Sequence, residues 1–299
     1  MNSALKHFAE RALIASGIAR ISGRRLRECT LVIAYHNVLP DGESPSGDAS
    51  LHLPRREFAR QLDVLERSHE VVPIEELLRS SPSTRRQRVV ITFDDAYEGA
   101  LTAGVEELTK RGMPATIFVA PALLGSVPWW DTLAEPARGG VPDDLRRHAL
   151  DVLGGDAEAI LRWAPSASPR SRSASTLPRI ATESQLADVA SKPGITLGSH
   201  SWSHPNLCTV SGTGLEAELV RPLQWLRSRF AAVVPWLSYP YGLFSETVQR
   251  AAANAGYLGA FRIEGGWIPR SPPSSYAIPR LNVPSGLSID GFRLRLAGL

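Results

Sequence analysis

The chain has 299 residues, a length that fits either two average domains or a single α/β barrel. Hydrophobic residues make up 43% and charged residues 21%, so a large core is expected and disorder of the whole chain is excluded. Two cysteines exclude a disulfide scaffold. The 33 basic and 30 acidic residues alternate along most of the chain without a basic stripe, so no nucleic-acid partner is expected.

Residues 1–29 are the main basic segment and are predicted to be helical. An apolar stretch at 12–19 is too short to span a membrane, and Arg20 follows it in place of a small-residue cleavage site. Two interpretations stay open, an ordinary helix or a basic amphipathic arm on anionic lipid. We expect a cytoplasmic protein, with peripheral membrane contact as the alternative.

Residues 30–299 alternate apolar runs with segments of helical periodicity. This pattern is typical of a parallel sheet wrapped by helices. The predicted strands are 31–36, 88–95, 115–120, 195–200, 233–241 and 258–263. The predicted helices are 55–66, 100–110, 183–190, 215–229 and 245–255.

The stretch at about 121–180 interrupts this alternation and is predicted to be an insertion of helices and loops. It contains a Trp129-Trp130-Asp131 cluster, a helical segment at 143–153, and a Ser/Pro/Arg-rich run at 164–176. Loops of this length in a compact domain are either functional lids or disordered.

Two adjacent carboxylates, Asp94 and Asp95, end the second predicted strand. Ligands of α/β sheets bind at the carboxyl ends of strands, so this position suits catalysis. Successive strand residues point to opposite faces, and the two acids share a site only if the backbone turns there. One would then bind a metal and the other would accept a proton. The alternative is that they cap the following helix.

His200 and His204 follow the fourth predicted strand, four residues apart. Imidazoles at this spacing are able to bind one metal ion, although surface histidines reach it by chance. Two imidazoles and one carboxylate leave a coordination position open, as in hydrolytic metal sites. A third run, Pro235 to Gly242, ends abruptly at the same face. It places a backbone N–H near a developing oxyanion, or else forms a buried aromatic corner.

These three runs, in this order, resemble the polysaccharide deacetylases of carbohydrate esterase family four. The resemblance spans about 31–283 and rests on Thr-Phe-Asp-Asp at 92–95, His-Ser-x-x-His at 200–204 and Tyr-Pro-Tyr at 239–241. It implies a distorted (β/α)-barrel of about seven parallel strands in one domain. It also implies removal of an N-acetyl group from an amino sugar.

The resemblance assigns roles to residues of this chain. Asp95, His200 and His204 would bind a divalent metal, zinc before cobalt or nickel. Asp94 would be the base, and the backbone N–H of Tyr241 would serve the oxyanion.

The chain departs from the usual family pattern at two positions. Ser238 stands where the family has an arginine, and no histidine follows His204 to act as the acid. A branch resembling exopolysaccharide deacetylases has its motifs in permuted order, with a Tyr-His pair on the first strand. His36 then becomes the acid, and Arg280 replaces the arginine beside Asp94. The alternatives are a histidine that only holds the strand end and a surface arginine.

The expected substrate is an N-acetylated sugar or glycoconjugate, such as a glycan precursor, a lipid-linked sugar or a natural-product sugar. Trp129, Trp130 and Tyr241 are the expected substrate-contacting residues, with insertion core as the alternative for the tryptophans. Two other functions stay open, a catalytically silent carbohydrate-binding barrel and a metal-dependent amidohydrolase for a non-sugar amide. The oligomeric state is not predicted.

Overall fold

A computed structural model describes residues 3–19, 22, 26, 29–77, 86–164, 176–268 and 274–299. In chain order its strands are β1 Thr30–Tyr35, β2 Asn37–Leu39, β3 His52–Pro54, β4 His69–Val71, β5 Gln87–Phe93, β6 Ala115–Val119, β7 Ile195–Ser199, β8 Val233–Ser238, β9 Gly259–Gly265, β10 Trp267–Ile268 and β11 Ile278–Asn282.

Seven of these strands form a closed, all-parallel barrel in the order β1-β11-β9-β8-β7-β6-β5. The barrel closes where β5 pairs with β1, from Thr30 opposite Arg88 to Tyr35 opposite Phe93. Register shifts between β7 and β8 and between β9 and β11 distort it. The predicted distorted (β/α)-barrel is confirmed.

The helices cover the outside of the barrel. They are α1 Ser3–Ala15, α2 Arg55–Ser68, α3 Val105–Lys110, α4 Trp129–Thr132, α5 Asp143–Asp151, α6 Ala157–Trp163, α7 Glu183–Ala190, α8 Gly212–Arg229, α9 Glu246–Asn254 and α10 Ile289–Leu296. The helix predicted at 100–110 begins as a π-helical turn, Ala100–Gly104, before α3. Among the described residues, no helix combines the length and apolarity needed to cross a membrane.

Successive side chains along each strand point alternately outward and inward, and this alternation divides the core into two layers. Odd-numbered residues of β1, such as Leu31 and Ile33, pack under the helices, while Val32 points into the barrel. The barrel interior is filled by apolar side chains from several strands, namely Val32, Val90, Phe118, Trp236, Phe261 and Ile278. The barrel is therefore a packed core whose lower part is closed.

The segment between β6 and β7 carries α4, α5 and α6 and then α7. Trp129 and Trp130 of α4 are buried in the core beneath the helices. The run at 165–175 lies outside the described residues. The exact boundaries of the insertion stay a prediction.

Helix α1 packs against α10. Its Glu10 is buried and accepts a hydrogen bond from Ser288 Oγ at 2.6 Å. Leu5 and Phe8 are 58% and 71% exposed. The division of the chain at residue 29 into a helical segment and a barrel stays a prediction.

Candidate active site

The polar site lies directly above the apolar side chains that fill the barrel interior. On three strands the inward-pointing apolar residue is followed two positions later by a polar one: Val90 leads to Thr92 and then Asp94, Trp236 leads to Ser238, and Ile278 leads to Arg280. Side chains alternate with a period of two, so these polar groups share the interior at the carboxyl end of the strands.

Asp94 and Arg280 form a bidentate ion pair inside the barrel. Arg280 Nη1 and Nη2 donate to the two carboxylate oxygens of Asp94 at 2.8 and 2.6 Å. The other guanidinium N–H groups donate to Thr92 Oγ1, Ser238 Oγ and Arg262 O. All five donors are satisfied, so the guanidinium is fixed at a position where it is only 1% exposed.

Ser238 of β8 contacts the same pair. Its hydroxyl donates to Asp94 Oδ2 at 3.1 Å and accepts from Arg280 Nη2 at 2.8 Å. The guanidinium at this site therefore comes from β11 and the hydroxyl from β8.

The pKa of Asp94 is lowered although its environment is buried. Burial alone raises the pKa, but Arg280 outweighs it by charge and hydrogen bonding, with a smaller contribution from His200. Asp94 is thus held as a carboxylate, the form that accepts a proton.

Asp95, His200 and His204 converge on one point beside this pair. The Nε2 atoms of His200 and His204 are 3.1 Å apart, and they lie 3.4 and 3.2 Å from Asp95 Oδ1. All three residues are buried. Burial raises the pKa of Asp95, but hydrogen bonds from the two histidines lower it well below its usual value.

These three atoms fit a metal ion. Two ligand atoms about 2.1 Å from a tetrahedral ion are separated by about 3.4 Å, close to the three distances here. His200 Nδ1 lies 2.7 Å from the backbone oxygen of Ser238, and donation to that carbonyl leaves the lone pair of His200 on Nε2. A carboxylate and two imidazoles are donors that zinc, cobalt and nickel all accept.

The backbone at the site is strained. Among the described residues, five non-glycine residues have positive φ, and all lie in the three motif loops: Asp95 (69°), Ala96 (58°), Ser201 (63°), His204 (62°) and Tyr241 (59°). Such conformations persist only where the surrounding structure holds them, and they cluster at functional sites. The turn at Asp95 also explains how two adjacent acids come to share one site.

His36 lies at the end of β1 and is half-buried. Burial lowers its pKa, and the nearby charges of Asp95 and Asp94 partly oppose that effect. Tyr35 pairs with Phe93, and Tyr35 O accepts a hydrogen bond from Asp94 N, so His36 lies beside Asp94 at the end of the barrel strands.

Tyr241 follows β8 in the Pro240–Gly242 turn. Its backbone N–H has no acceptor among the described residues, so it is available to a ligand. Its hydroxyl accepts a hydrogen bond from Trp129 Nε1 at 3.0 Å, and its ring lies 4.6 Å from that of His204.

Trp129 and Trp130 pack behind the histidine loop. They are 1% and 4% exposed, and the Trp130 ring lies 4.9 Å from the His204 ring. The two tryptophans belong to the insertion, and they contact the metal-ligand candidate His204 and Tyr241. Their contact with a sugar stays a prediction.

Two carboxylates that hold the site were not identified from the sequence. Asp131 accepts hydrogen bonds from Asp48 N, His52 Nε2 and Tyr97 Oη, and Glu218 accepts three from the loop that carries His204. The signal for Asp131 in the sequence is weak, namely its position directly after the two tryptophans. Nothing distinguishes Glu218 from other helical glutamates.

A family model and a curated relative both match this chain. Residues 81–260, which are 180 of the 299, match the polysaccharide deacetylase family model. YxkH of Bacillus subtilis (strain 168), whose name places it among polysaccharide deacetylases, is 23% identical over 87% of this chain and 74% of its own length.

Two solved structures share the fold. The deacetylase PplD of Streptococcus pyogenes, solved in complex with acetate, has a TM-score of 0.62 and 15% identity over 90% of this chain and 98% of its own. IcaB from Ammonifex degensii has a TM-score of 0.60 and 18% identity over 90% of this chain and 96% of its own. The chain belongs to the polysaccharide deacetylase family, and the enzyme class expected from its motifs, a carbohydrate N-deacetylase, is confirmed.

Proposed function

We propose that this protein is a metal-dependent hydrolase that removes the N-acetyl group from an amino sugar. The observation that carries the proposal is the convergence of Asp95, His200 and His204 beside the Arg280-paired carboxylate of Asp94. These three residues would hold the ion, zinc before cobalt or nickel. When bound, such an ion polarises the acetyl carbonyl and makes water more acidic.

Asp94 is the proposed general base. It stays ionised because Arg280 lowers its pKa, and its position beside Asp95 lets it take a proton from water attacking the acetyl carbon. Arg280 and Ser238 hold the carboxylate in place while the proton transfers. The backbone N–H of Tyr241 would donate a hydrogen bond to the carbonyl oxygen as negative charge develops there.

His36 is the proposed general acid. An amine leaves readily only when it is protonated, and an imidazolium is able to donate that proton. Burial lowers the pKa of His36, so the fraction of His36 in the acid form falls as the pH rises. We expect His36→Ala to lower turnover about 100- to 10,000-fold on an N-acetyl sugar. The loss should be much smaller on an acetyl ester whose leaving group needs no protonation. A twofold loss on the amide, or equal losses on both substrates, would contradict the acid role.

We propose a small or lipid-linked N-acetylated sugar as substrate rather than a long polymer. The support is that α4 of the insertion packs against Tyr241 and His204, which places added structure at the edge of the site. Comparing kcat/KM for an N-acetyl monosaccharide conjugate and for a long oligomer tests this choice. Preference for the oligomer would refute it.

Metal analysis and acetate release together test the central proposal. The purified protein should contain about one divalent ion and release acetate from at least one member of a panel of N-acetyl sugars. Asp95→Ala and His200→Ala should lose the ion, whereas the exposed control Glu158→Ala should keep it. Metal without acetate release from any sugar would favour a silent barrel or a non-sugar amidohydrolase.

A further inference from the structure

A carboxylate of α8 binds the loop that carries His204 from outside the barrel. Glu218 of α8 accepts hydrogen bonds from the backbone N–H groups of Trp202 and Ser203, both at 2.9 Å. Its other oxygen accepts a hydrogen bond from Ser203 Oγ at 2.7 Å. Three donors of the loop therefore share one side chain as their acceptor, and this side chain anchors the loop to α8.

This loop needs an anchor because its backbone is strained at both ends. Ser201 and His204 have φ values of 63° and 62°, and Glu218 binds the two residues between them. One helical turn farther along α8, the Arg221 guanidinium lies 3.6 Å from the centre of the Trp202 ring. Helix α8 therefore contacts the loop through a carboxylate and a guanidinium on the same face.

The two histidines depend on this loop to different degrees. His200 is held by its own backbone bond to Val119 O and by its Nδ1 contact with Ser238 O, each belonging to a barrel strand. His204 Nδ1 is buried without a hydrogen-bond partner among the described residues. Apart from the contacts of Nε2 with Asp95 and His200, the direction of the His204 ring is set by the loop backbone and by packing against Trp130 and Tyr241.

We infer that Glu218 is a positioning residue that aligns His204 with His200 and Asp95 and thereby sets the affinity of the site for its metal. This inference rests on the proposed metal-dependent function. Groups that orient metal ligands typically change metal affinity or activity 10- to 100-fold when they are removed.

The test is the dissociation constant of Zn²⁺, measured by competition with a chromophoric chelator. Glu218→Ala should weaken binding about 10- to 100-fold. Glu218→Gln keeps the reach, since its oxygen accepts from the two N–H groups and its amide donates to Ser203 Oγ. The dissociation constant of Zn²⁺ for Glu218→Gln should stay within a few-fold of that of the native protein. Glu218→Asp keeps the charge but is one methylene shorter, so it should bind more weakly than Glu218→Gln.

Glu216→Ala, at an exposed position of the same helix, is the matched control and should bind Zn²⁺ as the native protein does. Urea unfolding of the metal-free variants separates loss of ligand alignment from loss of fold, because Glu218→Gln and Glu218→Asp should unfold at similar urea concentrations. Native affinity in Glu218→Ala, or tighter binding by Glu218→Asp than by Glu218→Gln, would overturn the inference. Failure of the native protein itself to bind metal would instead overturn the proposed function.

Discussion

Asp94 and Asp95 are adjacent in the chain, yet the fold gives them different partners. Asp94 continues the inward side of β5 and meets Arg280, whereas the left-handed turn at Asp95 directs its carboxylate to the two histidines. Burial would raise both pKa values, and each partner set reverses that effect. One turn of backbone thus separates a proton acceptor from a metal-ligand candidate.

At this scale the Arg280–Asp94 pair makes a testable prediction about pH. Arg280 lowers the pKa of Asp94, so Arg280→Met should raise it. A base must be ionised to work, so the acid limb of kcat/KM should move to higher pH in this variant. We expect turnover at neutral pH to fall at least tenfold, with partial recovery as the pH rises. Arg280→Lys, which keeps a charge but not the bidentate contact, should show a smaller shift. An unmoved acid limb would show that Asp94 is not the titrating base.

At the scale of elements, α2 and α3 are joined by an ionic cluster centred on Glu107. It accepts hydrogen bonds from Arg55 at 2.7 and 2.9 Å, from Arg111 at 2.7 Å and from Lys110 at 3.1 Å. Burial raises the pKa of Glu107, but these hydrogen bonds lower it to about 2. The cluster joins α3 to α2, whose Phe58 packs against Tyr35 of β1 and Phe93 of β5.

The cluster predicts how stability depends on pH. Because the folded pKa lies below the unfolded value of about 4.3, the stabilisation is present above pH 4.3 and is lost as the pH falls towards 2. We expect Glu107→Gln to lower the free energy of unfolding by about 2 kcal/mol at pH 7, after allowing for solvent screening. The difference from the native protein should shrink between pH 4.3 and 2. Urea unfolding at several pH values measures it, with Glu158→Gln as a control whose side chain is 83% exposed. A difference that does not change over this pH range would contradict the assignment.

Element boundaries show which parts of the fold the sequence predicts. The apolar runs predict six of the seven barrel strands, and β11 is absent from that set. The run at 88–95 ends as a strand at Phe93 because the backbone turns at the two acids. The run at 233–241 ends at Ser238, since Pro240 and the left-handed Tyr241 stop it. The alternation of side chains along the strands predicts a layer of inward-pointing polar residues above the apolar barrel interior. It does not predict Glu218 or Asp131, whose partners lie on other elements and become neighbours only when the barrel closes.

At the scale of the whole molecule, Asp131 joins three distant parts of the chain. It receives hydrogen bonds from Asp48 N and His52 Nε2 in the segment between β2 and α2, and from Tyr97 Oη after β5. Asp131 itself belongs to α4 of the insertion. Tyr97 Oη also accepts from Trp130 Nε1 at 2.7 Å, and the Trp130 ring packs on His204. A single buried carboxylate therefore connects the insertion, the barrel rim and the metal-site candidate.

Removing that carboxylate should affect both stability and activity. Asp131→Ala leaves buried donors on His52 and Tyr97 without an acceptor, and each such group costs about 1–3 kcal/mol. We expect a loss of roughly 3 kcal/mol in the free energy of unfolding, measured in urea, and a single transition, because the three segments unfold together. Turnover of the folded variant should also fall, since Trp130 loses its link through Tyr97 and no longer fixes the His204 ring.

Asp143→Ala, at the exposed start of α5, should change neither quantity. A loss below about 0.5 kcal/mol for Asp131→Ala, the range of ordinary surface substitutions, would show that the insertion is held to the barrel by packing alone.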